Sequence, residues 1–107
     1  MKIPSKENFM KYLKNEDYKD WTGSGFPSTI YQYAKAIEKV MKLECVDTYL
    51  DLTDHIQAII NKYGENGEKK AIGEEGHSTV INALKRYSEY LLNECDWVPI
   101  TGIWYQK

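Results

Sequence analysis

The stretch GHSTVINALKRYSEYLL, residues 76–92, decides the fold. Val80, Leu84, Tyr87 and Leu91 recur at the spacing of one helix face, and Ile81 and Ala83 widen that stripe. Lys85, Arg86 and Glu89 fall between them on the other face. The hydroxyl of Ser78 or Thr79 can accept from the orphan N–H groups of a first turn, so one of the two is the expected N-cap, with Asn93 closing the helix. So wide a stripe needs cover from other elements. The expected role is a core helix whose exposed Lys85–Arg86 pair meets a phosphate or a carboxylate. Arg86 is the chain's one arginine, so bidentate guanidinium recognition is available at a single position.

Three further helices are expected around it. Residues 5–14 have Ser5 as cap and Phe9, Tyr12 and Leu13 as the apolar side. Residues 28–43 begin just after Pro27, with Thr29 and Gln32 at capping-box spacing, and Ile30, Tyr33, Ala34, Ile37, Val40 and Met41 follow the helical template. Lys35, Lys39 and Lys42 stand at i, i+4 and i+7 and share the opposite face, the best candidate in the chain for contacting a phosphate backbone. Residues 52–63 carry Leu52, Ile56, Ile59, Ile60 and Tyr63, with Asp51 or Thr53 as cap and Gly64 as the stop. The early acids suit that helix's N-terminus.

The connections divide by composition. Residues 15–27, NEDYKDWTGSGFP, read as a loop whose Tyr18, Trp21 and Phe26 either anchor it to the core or offer an aromatic partner contact. The polar segment ENGEKKAIGEEG, residues 65–76, is expected to be the most mobile part of the molecule. In DWVPITGIWYQK, residues 96–107, Pro99 and Gly102 forbid a helix. Val98, Ile100, Ile103, Trp104 and Tyr105 favour extended structure there. So apolar a tail either packs across the helices or covers a partner or a second copy of the chain, with Trp97, Trp104 and Tyr105 as its contacts. The expected fold is therefore all-α: one domain over residues 1–107, a small orthogonal four-helix bundle with an extended aromatic C-terminal tail.

Composition narrows the chemistry. No run of about 18 apolar residues exists to span a membrane, and residues 1–9, MKIPSKENF, have no apolar signal core. Two cysteines, Cys45 and Cys95, make no disulfide framework, so a reducing, cytoplasmic setting is expected. His55 and His77 have no zinc-type spacing and no CxxC pair is present, so neither a metal nor a cofactor is expected. No Gly-rich phosphate cradle or walled carboxylate pair is present, so no enzyme is expected. A net charge of −2 argues against a stand-alone nucleic-acid binder but not against one basic face.

The order of motifs resembles the N-terminal core-binding, SAM-like helical domain of tyrosine recombinases. The matching features are the Phe9-x-x-Tyr12-Leu13 opening helix, the Ser28-Thr29 start of a helix containing Tyr33 and Ile37, the Leu52–Tyr63 helix and the closing Tyr87-x-x-Tyr90-Leu91. Residues 82–91, NALKRYSEYL, are also similar to N-terminal helical modules of restriction-type endonucleases. The resemblance covers residues 9–92. With one arginine the recombinases' multi-arginine centre has no counterpart, and neither has the tail. The resemblance implies a non-catalytic, DNA-associated accessory or recruitment module of a mobile-element, restriction or recombination system, in which Lys35, Lys39, Lys42, Lys85 and Arg86 touch phosphates. The acidic run of residues 44–54 supports a competing expectation. In it, Asp51 and Asp54 belong to a small acidic protein–protein module, a phage-type inhibitor that occupies a nucleic-acid-binding protein.

Overall fold

The computed structural model describes residues 3–16, 29–100 and 103–106. They are mostly helical and end in a small antiparallel hairpin. The elements are α1 (Lys6–Asn15), α2 (Thr29–Leu43), α3 (Tyr49–Asp54), α4 (Ile56–Tyr63), α5 (Lys70–Gly73), α6 (Glu75–Glu94), β1 (Trp97–Ile100) and β2 (Ile103–Gln106). Where four helices were expected, the described residues hold six.

The central helix is α6, which packs against α1, α2, α4, α5 and β1. Its Val80, Ile81, Ala83, Leu84, Tyr87, Tyr90 and Leu91 are all buried. Such a wide stripe cannot be covered by one neighbour, and several elements share the task. Aromatic rings knit the α1 side: Phe9 stands edge-on to Tyr87 at 5.4 Å, and Tyr12 tilts against Tyr90 at 5.7 Å. Two of the buried hydroxyls are satisfied by other elements. Tyr90 Oη accepts from the Ser5 backbone N–H at 3.4 Å, and Tyr87 Oη reaches the Tyr49 carbonyl at 2.9 Å. Burial pushes both phenols well above their ordinary pKa, so they stay protonated.

Several expectations are corrected. Ser5 caps α1 as expected, accepting from the Asn8 N–H at 3.2 Å. Thr48, not Asp51 or Thr53, caps α3, accepting from the Asp51 N–H at 3.0 Å. Thr53 is fully buried instead. Its hydroxyl lies 2.9 Å from the Tyr49 carbonyl and 3.0 Å from Tyr87 Oη. Thr53, Tyr87 and the Tyr49 carbonyl thus form a triangle in which two hydroxyl protons serve three contacts. A Thr hydroxyl bonded back to the i−4 carbonyl bends a helix, and the chain breaks at His55 into α3 and α4. The apolar stripe survives the break, because Leu52, Ile56, Ile59 and Tyr63 are all buried.

The start of α6 also differs. The helix opens at Glu75 without a side-chain cap, and both Gly76 (φ 58°) and Ser78 (φ 65°) are left-handed within its first turns. Ser78 is therefore not an N-cap, a position that needs extended backbone. Residues 65–76 are not a bare loop. They contain α5, and the Lys69 N–H donates to the Lys62 carbonyl at 2.9 Å. Gly67 and Gly73 allow this fold-back: a Cβ on either would stand 2.0 or 2.1 Å from a carbonyl oxygen of Lys62 or Tyr63. The tail packs across the helices as a hairpin, with β2 against α3 and α4 and β1 against α6.

A Schellman turn ends α2. The Val46 N–H bonds the Met41 carbonyl at 2.8 Å and the Cys45 N–H bonds the Lys42 carbonyl at 3.4 Å. Cys45 holds the left-handed position of that turn at φ 58°, where a side chain is strained and glycine is not. Cys45→Gly is expected to stabilise the fold by about 1 kcal/mol, read as a higher urea midpoint with an unchanged slope. An unchanged or lower midpoint would contradict the assignment of strain to this residue.

Candidate functional site

The lysine stripe of α2 lies opposite the core. Ile30, Ala34, Ile37 and Val40 are buried, while Lys35, Lys39 and Lys42 are exposed. Lys35 Nζ sits 5.1 Å from the centre of the Tyr31 ring, one turn earlier. Lys39 Nζ bonds Glu75 Oε2 at 2.6 Å, with both side chains about half exposed. Between this face and the start of α6 runs an open cleft of about 670 Å³. Ala36 and Val80 contribute apolar surface to it, and Gln32, Lys35, Lys39 and Thr79 polar atoms. The Thr79 hydroxyl is held by the Gly76 carbonyl.

Lys85 and Arg86 do not join that face. Helical geometry turns Thr79 and Val80 of α6 towards α2 and Ile81 and Lys85 towards α4. Lys85 accordingly lines a separate shallow cleft of about 430 Å³ with Ile60, Asn61, Gly64 and Ile81. Arg86 is half-buried and paired with Glu89, one turn along the same helix. The five cations expected to touch phosphates are thus divided between two flanks, with Lys35, Lys39 and Lys42 sharing the stripe of α2.

The expected partner contacts are divided as well. Asp51 and Asp54 are exposed on α3, beside Leu50, which is also exposed. Trp97 and Trp104 are each 7% exposed, so they belong to the core and present little surface to a partner. Trp104 Nε1 donates to Gln57 Oε1 on α4 at 3.2 Å. Tyr105 is 49% exposed. Trp21 and Phe26 lie outside the described residues.

One polar cluster was hidden in the sequence. The carboxylate of Glu44, on the turn after α2, has only 9% of its side chain exposed. It accepts from Lys62 Nζ at 2.6 Å, Lys69 Nζ at 2.7 Å and Tyr63 Oη at 2.9 Å. Lys69 Nζ also stands 5.5 Å from the Tyr63 ring centre. In sequence Glu44 looks like one more acid of an acidic run. Its partners come from 18 to 25 residues away, on elements whose packing no local pattern reveals.

The cluster fastens α2, α4 and the approach to α5. Burial alone would raise the Glu44 pKa. The two ammoniums and the phenol outweigh burial and bring it down from 4.5 to about 2. A carboxyl depressed on folding contributes stability that is present above its unfolded pKa and is lost as pH falls from about 4.5 towards 2. The shift corresponds to about 3 kcal/mol. Glu44→Gln is expected to lower stability at pH 7 by a few kcal/mol, since Lys62 and Lys69 lose their counter-charge. It should also flatten the stability–pH profile between about 5 and 2. Denaturant titrations of both proteins across that window check this, and parallel profiles would contradict it.

Among the described residues no three His, Cys, Asp or Glu side chains gather as a metal site, and no helix is long and apolar enough to cross a membrane. Comparisons with protein-family models, with curated proteins and with solved structures gave no match.

Proposed function

We propose that this chain is a non-catalytic helical module that lays the lysine face of α2 against the phosphate backbone of duplex DNA. In this reading it is an accessory or recruitment domain of a mobile-element, restriction or recombination system. The observation that carries the reading is Lys35, Lys39 and Lys42 on one exposed face, opposite the core residues of the same helix. Seven residues of helix rise about 10 Å. One DNA strand advances that far in about three nucleotides. The resemblance to recombinase core-binding domains supports the same reading, with α1, α2, the α3–α4 pair and α6 as the four units of a small orthogonal bundle in one domain. Neither Cys45 nor Cys95 is in a disulfide, which fits a reducing, cytoplasmic setting.

The net charge of −2 opposes approach to DNA, so the contact is weak and local. Three phosphate contacts give a slope of log affinity against log salt of about −2.7. Lys35→Glu with Lys42→Glu should abolish binding, while Lys85→Glu, on the other flank, should leave it nearly unchanged. Glu75→Gln should tighten it, because it frees Lys39 from its intramolecular partner. Fluorescence-anisotropy titrations on duplex DNA at two salt concentrations check all of these. Absence of binding at low salt, or binding indifferent to salt, would overturn the reading.

A second reading rests on a different face. Asp47, Asp51 and Asp54 are exposed around exposed Leu50, an apolar centre with an acidic rim suited to a basic, nucleic-acid-binding protein. If that face is used, Asp51→Lys with Asp54→Lys eliminates co-purification of such a partner from the host lysate. Unchanged recovery of every partner would count against it.

A further inference from the structure

Asn66 precedes Gly67, and no other asparagine of the chain stands before a glycine. That pair favours attack of the backbone on the side-chain amide, because glycine has no Cβ to hinder the approach and turns freely. The Gly67 nitrogen gives its proton to hydroxide and adds to the Asn66 side-chain carbonyl carbon. The new N–C bond closes a succinimide, and the side-chain nitrogen leaves as ammonia after taking a proton from water. Water then opens the ring at either carbonyl, leaving aspartate or isoaspartate. Asn66 is exposed, so water and base reach it. The nucleophile is what the fold withholds. The Gly67 N–H donates to the Gly64 carbonyl at 3.0 Å. Gly67 is also seated against the end of α4, where a Cβ on it would stand 2.0 Å from the Lys62 carbonyl oxygen and 2.3 Å from that of Asn61. The loop around it is closed at both ends. The Lys69 N–H donates to the Lys62 carbonyl at 2.9 Å, and both lysine ammoniums are held by the one Glu44 carboxylate.

We infer that Asn66 is a deamidation site held shut by the Glu44 cluster, so that release of the cluster is recorded as a covalent change in the chain. Attack needs the Gly67 nitrogen to leave the Gly64 carbonyl and the turn to swing off α4. That is a local opening of residues 62–69, and the two ion pairs and the Lys69–Lys62 backbone bond oppose it. The rate of modification therefore follows the population of the opened turn rather than that of the unfolded chain. The record is one-way, because ammonia is lost. Isoaspartate places an extra backbone carbon immediately before Gly67, the residue that must lie against Lys62. Aspartate places a further negative charge between Glu65 and Glu68. Either product thus disfavours the closed turn from which it came.

Incubation of the full chain at mildly alkaline pH tests this, with peptide mass spectrometry following the exchange of the Asn66 amide NH2 for OH. The folded wild-type chain should react at least about tenfold more slowly than the same chain unfolded in guanidinium. Glu44→Gln should recover about tenfold or more of that rate while the protein remains folded by circular dichroism. Lys69→Met, which removes one arm of the cluster, should act in the same direction if the glutamine variant does not fold. Leu13→Ala, a core truncation on α1, lowers global stability without touching the cluster and should leave the rate close to wild type. Asn66→Gln should abolish the mass gain in every background. Equal rates in the folded and unfolded wild-type chain overturn the proposal. So does a wild-type rate in the folded cluster variants, or an acceleration by Leu13→Ala equal to theirs, which would route the reaction through global unfolding.

Discussion

The constraint on which the structure depends is that the wide apolar stripe of α6 must be covered, with its buried phenols kept hydrogen-bonded. A buried hydroxyl without a partner costs on the order of 1–3 kcal/mol, so position matters as much as burial. The Tyr90 hydroxyl meets the Ser5 N–H at the mouth of α1, and the Tyr87 hydroxyl meets the Tyr49 carbonyl at the start of α3. Each bond fixes the end of one helix against the side of another. Apolar packing supplies the driving force, but it is nearly indifferent to small slides. The phenols choose among the slides that packing would tolerate.

A second fastening acts at the C-terminal end of α2. The Schellman turn at Cys45 reverses the chain immediately after Glu44 and presents that carboxylate inward rather than to water. One acid then holds two lysines and a phenol from a segment that has little apolar surface of its own. That is why residues 65–76 are structured despite their composition. Gly67 and Gly73 let the backbone lie against the end of α4, and the Glu44 pairs hold it there. The strained residue and the depressed carboxyl belong to one device, since the left-handed turn is what delivers the charge.

Legibility followed the range of the interaction. The periodicities of α1, α2 and α6 marked those helices and most of the core, because amphipathic spacing reports which face must be covered. The lysine stripe was readable for the same reason: it shares one helix with the apolar face it opposes. Where Lys85 and Arg86 stand relative to that stripe was not readable. Their flank depends on how α6 rotates against α2 and α4, which neither helix encodes alone. Thr53 misled because a threonine near an expected helix start looks the same whether it caps the helix or sits in the core. The break at His55 follows from that burial, through the bend of a back-bonded hydroxyl. Extended structure in the tail was evident from Pro99 and the β-branched residues. The burial of Trp97 and Trp104 was not, since an aromatic side chain suits a core and an interface equally.

The residues that carry the recombinase resemblance explain why function stays separable from fold here. Phe9, Tyr12, Leu13, Tyr87, Tyr90 and Leu91 are all buried, several of them in mutual ring contact. They specify how α1 seats on α6, and a partner never sees them. On the exposed face of α2 the charges are partly neutralised from within. Glu38 on the same helix holds Lys6 of α1 at 2.7 Å, and Glu75 holds Lys39. Exposed pairs of this kind are worth at most about 1 kcal/mol, so a run of phosphates can outcompete them. At a Debye length of about 8 Å in physiological salt, the rest of the acidic surface is largely screened once the stripe is in contact. On the proposed reading, the stripe would hold a polyanion already brought near rather than capture one from a distance, as an accessory module would need to.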